Sequence, residues 1–268
     1  MIKVIVNADD YGWDENRTKA ILEAYRLGAI TTTTVMVNMP WFEKSIELAK
    51  ENGLFKNIGL HLCLTEGRPL TDMIKSSRLF CDKAGNFTGM FHKQAKWRLW
   101  LPPFERKAVR EEIEAQMALY VETKIPMMHL DSHHHAHTDF SIAQIVLPVA
   151  QEFGFKTVRL SRNLGKRLSV AKRVYKYFFN EYQRRYLQPN AEHFCSFDDF
   201  ISRRSEIPDE TVLEVMTHPL YQRVGKLMLN GELMDGEDGR VAIRDIRTFW
   251  RDHATSIRLC PFKEEKAK

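Results

Sequence analysis

Short β-branched runs alternate with stretches of helical spacing along most of the chain. The run "IKVIV" opens at residue 2 as a buried strand and gives way at 7–12 to polar residues, which read as a loop. Asp14 stands as an N-cap before "ENRTKAILEAYRLG", where Ala20, Ile21, Ala24 and Leu27 share one helical face and Gly28 supplies the stop. "TTTTVMVN" predicts a second strand, and "WFEKSIELAKENG" a second helix closing on Gly53. "NIGLHLCLTEG" predicts a third strand, with Leu60, Leu62 and Leu64 on one side and His61 and Cys63 on the other. From Glu66 the pattern lapses into a long polar stretch, and a connection of this length in a compact chain is commonly a functional lid, expected here over 66–105. Helical spacing returns in "FERKAVREEIEAQMALYVET". After it come a strand in "IPMMHLD", a helix in "FSIAQIVLPVAQEFG" with a kink expected at Pro148, and a short strand in "FKTVRL". A basic helix over 168–187, a strand in "TVLEVMT" and a helix near 243–253 complete the pattern.

Strand alternating with helix argues for an α/β fold with a mostly parallel sheet, open or closed into a barrel. With 268 residues and neither repeat nor linker, the whole chain, 1–268, is expected to form one domain. The net charge of +5 suits small anionic partners but is too slight to imply nucleic acid. Residues 1–7 run straight into a strand, and no run of eighteen apolar residues follows, so neither a secretion signal nor a membrane span is expected. Cys63, Cys81, Cys195 and Cys260 form no CxxC pair and read as reduced thiols, which fits a cytoplasmic protein.

The placement of polar residues changes this picture. Asp9 and Asp10 follow the first strand, His61 lies late in the third, His133 follows "MMHLD", and His218 ends "LEVMTH". Strand C-termini of a parallel α/β fold open on one face, which carries the chemistry. The stretch "HLDSHHHAH" holds five of the ten histidines. Asp10, His61 and one histidine of this cluster would make a one-carboxylate, two-imidazole site with positions left for water and substrate, as in a catalytic metal centre. Ligand type favours zinc, cobalt, iron or nickel over magnesium. The neighbouring aspartate is placed to take a proton from the activated water, and His218 to protonate a leaving group.

Five segments in order, "VNADDYG", "TTTVMVN", "IGLHLCLTEGRPL", "HLDSHHHAH" and "EVMTHP", closely resemble the signatures of the YdjC-like carbohydrate deacetylases, a family that includes chitooligosaccharide deacetylases. The resemblance runs from residue 2 to about residue 220 and is weaker over 72–105. It implies a variant (β/α) barrel of the polysaccharide-deacetylase type with a divalent metal at the strand C-termini. It also implies hydrolysis of the N-acetyl group of N-acetylglucosamine units in short chitin-type sugars, diacetylchitobiose and its 6-phosphate included. On this resemblance Asp10, His61 and His133 hold the metal, Asp9 is the catalytic base, and Mg2+ is the expected ion, against the preference of the two imidazoles for Zn2+ or another transition metal. His129, Asp131, His135 and His137 are then expected to orient ligands or to contact the sugar. A homodimer is the expected assembly.

Three further features bear on substrate. Trp97 and Trp100 in "WRLWLPP" are expected to pack the lid onto the barrel, with sugar stacking as the alternative. Arg159 near the end of the "FKTVRL" strand and Arg162 just after it are placed to meet an anionic sugar or a phosphate, with an ordinary surface role as the alternative. The segment 159–186 carries Arg159, Arg162, Lys166, Arg167, Lys172, Arg173, Lys176, Arg184 and Arg185 against Glu181 alone, with Val174, Tyr177 and Phe178 as an apolar face. A nucleic-acid or membrane-binding role is the rival from another class; a solvated barrel face is the expectation. Hydrolysis of another amide or of a phosphoester is the rival within the enzyme class.

Overall fold

The computed structural model describes residues 1–165, 169–222, 226–229 and 243–262. The first half follows the expected alternation: β1 (Ile2–Tyr11), α1 (Glu15–Arg26), β2 (Thr32–Val35), α2 (Phe42–Glu51) and β3 (Ile58–Leu62). The long connection holds α3 (Asp72–Lys75) and α4 (Ala95–Leu99). Then come α5 (Pro103–Glu122), β4 (His129–Ser132), α6 (Phe140–Glu152), β5 (Thr157–Val158) and α7 (Val170–Arg184). The chain continues through β6 (Gln188–Pro189), β7 (His193–Ser196), α8 (Phe197–Arg203) and β8 (Val212–Thr217). A small hairpin, β9 (Leu220–Tyr221) with β10 (Leu227–Met228), precedes α9 (Ile243–Asp252) and β11 (Ile257–Leu259).

Local signals account for the element ends. The Asp14 carboxylate accepts the Arg17 N–H at 2.8 Å to start α1, and Gly28 leaves it with φ +67°, a conformation that suits glycine. Ala20, Ile21 and Ala24 are buried and Leu27 packs beside them. All five residues of β3 are buried, because a central parallel strand is covered on both faces.

The sheet runs β6-β5-β4-β3-β2-β1-β8-β7, with every neighbouring pair parallel. β8 takes one edge of β1, while β11 and β2 share the other, at Ile2–Val4 and from Asn7 onward. β6 and β7 are the outermost strands of this path, yet only residues 190–192 join them. Those few peptides span at most about 14 Å, whereas eight flat strands would hold the edges roughly 33 Å apart. The sheet therefore curls into a partial barrel wrapped by helices, the variant (β/α) barrel expected. Among the described residues no ladder joins β6 to β7.

One expectation needs correction. β1 does not stop at Asn7 but continues through both aspartates to Tyr11, because the interior it faces is polar. The 66–103 stretch, where a lid is expected, is anchored to the core. Ile74, Phe80, Phe87 and Phe91 are buried in the main core, and the Glu112 carboxylate accepts the Leu70 and Thr71 N–H groups at 3.0 and 2.8 Å.

Candidate active site

Side chains of successive strand residues normally face opposite ways. Asp9 and Asp10 escape this rule through an irregularity in β1: the register against β2 shifts between Ala8 and Tyr11, and Asp10 adopts φ +70°. The two carboxylates thereby serve one site.

Asp9 is fixed by Arg159, which donates from Nη1 and Nη2 to its two oxygens, each at 2.7 Å; Asn7 Nδ2 adds a third bond at 2.9 Å. The same guanidinium reaches Asp131 Oδ2 and, through Nε, Glu214 Oε1, both at 2.7 Å. All four residues are buried, so one cation serves three carboxylates. Burial works to raise the Asp9 pKa, but the Arg159 charge and hydrogen bonds prevail and hold it well below the usual carboxylate range. Glu214 keeps less of the guanidinium; burial pushes it up to about 7 despite the Nε contact.

His61 Nδ1 lies 2.7 Å from Asp131 Oδ1 and 3.2 Å from Thr34 Oγ1, so one ring nitrogen is held and Nε2 is turned toward Asp10. His61 Nε2 and His133 Nδ1 approach the same Asp10 Oδ1 at 3.3 and 3.0 Å without the alignment of hydrogen bonds. Both Asp10 oxygens and His61 Nε2 are buried with no hydrogen-bond partner. Buried polar atoms seldom go unpaired, and a set that converges from β1, β3 and the turn after β4 fits a cation. The demand for positive charge also appears in the imidazoles. Burial opposes their protonation, yet Asp131 and Asp10 carry His61 up to about 10, and Asp10 carries His133 up to about 9. Asp131 behind His61 is the carboxylate–histidine arrangement that fixes a ligand's tautomer.

These groups open into a cleft of about 710 Å³. Its floor is the strand ends, with His61, His133 and Met216, followed by His218 just beyond β8. The opposite wall is the long segment, at Thr65–Gly67, Phe87–Gly89, His92 and Lys93. Trp13 meets His133 edge-on at 5.0 Å.

The YdjC-like protein family model matches residues 3–243. The chain belongs to the YdjC-like family. Similar curated proteins include carbohydrate deacetylases of Brevibacillus brevis, 32% identical over 231 residues with 82% of each chain covered, and of Vibrio parahaemolyticus, 32% identical with 88% and 85% covered. Another, from Clostridium beijerinckii, is 27% identical over 82% of each chain. An Enterococcus faecalis V583 crystal structure, whose suggested activity is cellobiose-phosphate cleavage, superposes with a TM-score of 0.68 over 97% of both chains. At 19% identity that likeness speaks for the fold alone.

In this YdjC-like chain Asp9, His61, His133 and His218 line one cleft, with Asp10 against the two imidazoles. The rest of the histidine cluster divides. His134 and His135, both at left-handed φ, line the cleft with His133. His129 lies below, bonded through Nδ1 to Thr157 Oγ1 and Asn190 and covered by Phe262, and burial takes it down to about 3. His137 ties Ser132 Oγ to the Arg159 carbonyl and is likewise buried. Neither touches the cleft. Arg159 does not line the cleft: it is fully buried among Asp9, Asp131 and Glu214 and positions Asp9. Arg162 pairs with Asp199. Trp97 packs against the core, Trp100 is exposed, and neither lines the cleft. Of the basic segment, Lys176 bonds the Arg162 carbonyl and Arg184 pairs with Glu181; Lys166 and Arg167 lie outside the described residues.

Sequence reasoning missed Glu214, Thr34, Asn7, Glu66 and His134. Glu214 carried a signal: a carboxylate in the middle of the apolar run "VLEVM" must find a buried cation. Thr34 carried none, since a β-branched residue in a strand is unremarkable.

Proposed function

We propose that this chain is a metal-dependent carbohydrate deacetylase that removes the N-acetyl group from N-acetylglucosamine units of short chitooligosaccharides such as diacetylchitobiose. The observation that carries the reading is the set of buried atoms without hydrogen-bond partners on Asp10 and His61, completed by His133, beside an ionised Asp9 at a cleft floor. The names of the relatives support the reaction class.

A divalent ion held by Asp10, His61 and His133 would supply Lewis acidity at the acetyl carbonyl and make water more acidic. Asp9 accepts the proton of the attacking water as its oxygen bonds to the carbonyl carbon. Arg159 keeps Asp9 ionised and aimed at some expense of basicity, which the greater acidity of the water offsets. The C–N bond then breaks, and His218 protonates the departing amine, leaving acetate and a free amino sugar. Asp131 holds His61 throughout. Two imidazoles favour Zn2+ or a similar ion, and the family resemblance favours Mg2+.

The test is acetate release from diacetylchitobiose and its 6-phosphate by metal-stripped protein, with Mg2+ or Zn2+ restored, beside an Asp9→Asn variant. Metal-dependent release that falls about 10²- to 10⁴-fold in the variant is the expected result. Absence of acetate from both sugars, with metal bound, would transfer the site to another amide or to a phosphoester.

A further inference from the structure

The cleft wall facing the strand ends carries an imidazole that the reaction does not use. His92, on the long segment, lies with Nδ1 2.7 Å from Asp139 Oδ2. Asp139 is fully buried at the start of α6, and its other oxygen accepts Arg98 Nε at 2.5 Å. The His92 ring lines the cleft and stacks on His134 at 6.2 Å and 17°. His134 is itself held, Nδ1 to Thr65 Oγ1 at 3.1 Å, and its ring lies 4.0 Å from that of His133.

Both the tilt and the tautomer of His92 are thus set in advance. A carboxylate on Nδ1 fixes the proton there and leaves Nε2 as the polar atom for the cleft. If the only task were to fasten the segment to α6, Arg98 already supplies a charged contact to the same carboxylate. The second nitrogen of an imidazole adds nothing to such a clamp. Its value lies in a preorganised contact with whatever fills the cleft. The stack puts the His92 ring no more than about 10 Å from that of His133. That leaves it within reach of a sugar ring adjoining the one whose amide reacts.

We propose that His92, oriented by Asp139, recognises the sugar unit next to the one deacetylated, with Nε2 hydrogen-bonded to a hydroxyl of that ring. The inference rests on the deacetylase reading above. The experiment compares wild type with His92→Asn and His92→Gln on diacetylchitobiose in saturating divalent metal. Asparagine keeps a donor for Asp139 and removes the cleft nitrogen; glutamine places its amide near the Nε2 position. Loss of one hydrogen bond remote from the reacting amide should raise KM about 5- to 10-fold, with kcat and Tm retained in His92→Asn and part of the KM restored in His92→Gln. An unchanged KM in His92→Asn overturns the inference. So does a loss confined to kcat, which would put His92 at the reacting amide. A fall in Tm that accounts for the whole effect in both variants would reduce His92 to a clamp. Failure of wild type to release acetate removes the deacetylase reading itself, whatever the variants do.

Discussion

Glu214→Gln tests whether the buried cluster around Arg159 is as electrostatically crowded as its geometry requires. Asp9, Asp131 and Glu214 each lie 2.7 Å from the one guanidinium. Burial displaces the Glu214 pKa from 4.5 to about 7, with Arg159 resisting and Asp131 and Asp9 adding to the rise. A displacement of that size corresponds to about 3 kcal/mol. Glu214 is a carboxyl whose folded pKa is raised, so the sign is opposite to that of a salt-bridged acid. Below 4.5 it is protonated in folded and unfolded chains alike. Between 4.5 and about 7 the unfolded chain ionises first and folding is progressively disfavoured, and above 7 the whole penalty is present. Glutamine retains an oxygen for Arg159 Nε and carries no charge. The stability of Glu214→Gln relative to wild type should therefore rise by about 3 kcal/mol between about pH 4.5 and pH 8.5. Urea unfolding of both metal-stripped proteins at several pH values in this range measures it. A difference that stays flat, or that turns against the variant as pH rises, would refute the charge argument and leave Glu214 a simple hydrogen-bond acceptor.

Three other variants probe the site and its frame. Asp131→Asn removes the charge behind His61 Nδ1 and should weaken divalent-metal binding about 10- to 100-fold in calorimetry; unchanged affinity would mean that Thr34 alone orients the ring. His218→Gln should lower kcat for acetate release about 10²-fold at unchanged metal affinity, and full activity would remove it from the reaction. Gly59→Ala would place a Cβ 3.0 Å from both the His129 carbonyl oxygen and Thr34 Cγ2, between β2 and β4. It should cost about 1–3 kcal/mol in urea unfolding, and a neutral result would show that β3 can shift.

The elements that repeat apolar residues at a definite period were legible from the sequence, among them β1, α1, β3, α5 and α6. The missed strands lack any period to read. β6 has two residues, β7 runs "HFCS", and β11 has three residues after a short turn. Strand alternation was enough to place Asp10, His61, His133 and His218 at one mouth, because C-terminal ends of parallel strands must share a face. It could not reveal that the barrel interior is itself polar. Arg159 illustrates the difference: a cation after a strand reads as a surface ligand for anions, and only the tertiary arrangement supplies the three carboxylates that bury it. The anchoring of the polar 66–103 stretch was hidden for the opposite reason. Its anchors, Ile74, Phe80, Phe87 and Phe91, are too widely spaced to register as an element, yet each finds the core.

The irregularity in β1 has a bearing on how this protein would fail. Asp9 and Asp10 are joined by one peptide bond, and the left-handed Asp10 backbone, a conformation aspartate tolerates better than most residues, aims both inward. Their separation is set by covalent geometry. The distances from Asp10 to His61 and His133, in contrast, are set by how closely β1, β3 and the end of β4 are packed. Heat, pressure or a distant core mutation that loosens the barrel acts on the second set of distances and leaves the first intact. If an ion sits there as proposed, ageing or stressed protein should shed it while Asp9 still stands ready, and added ion should restore much of what was lost before any unfolding is seen.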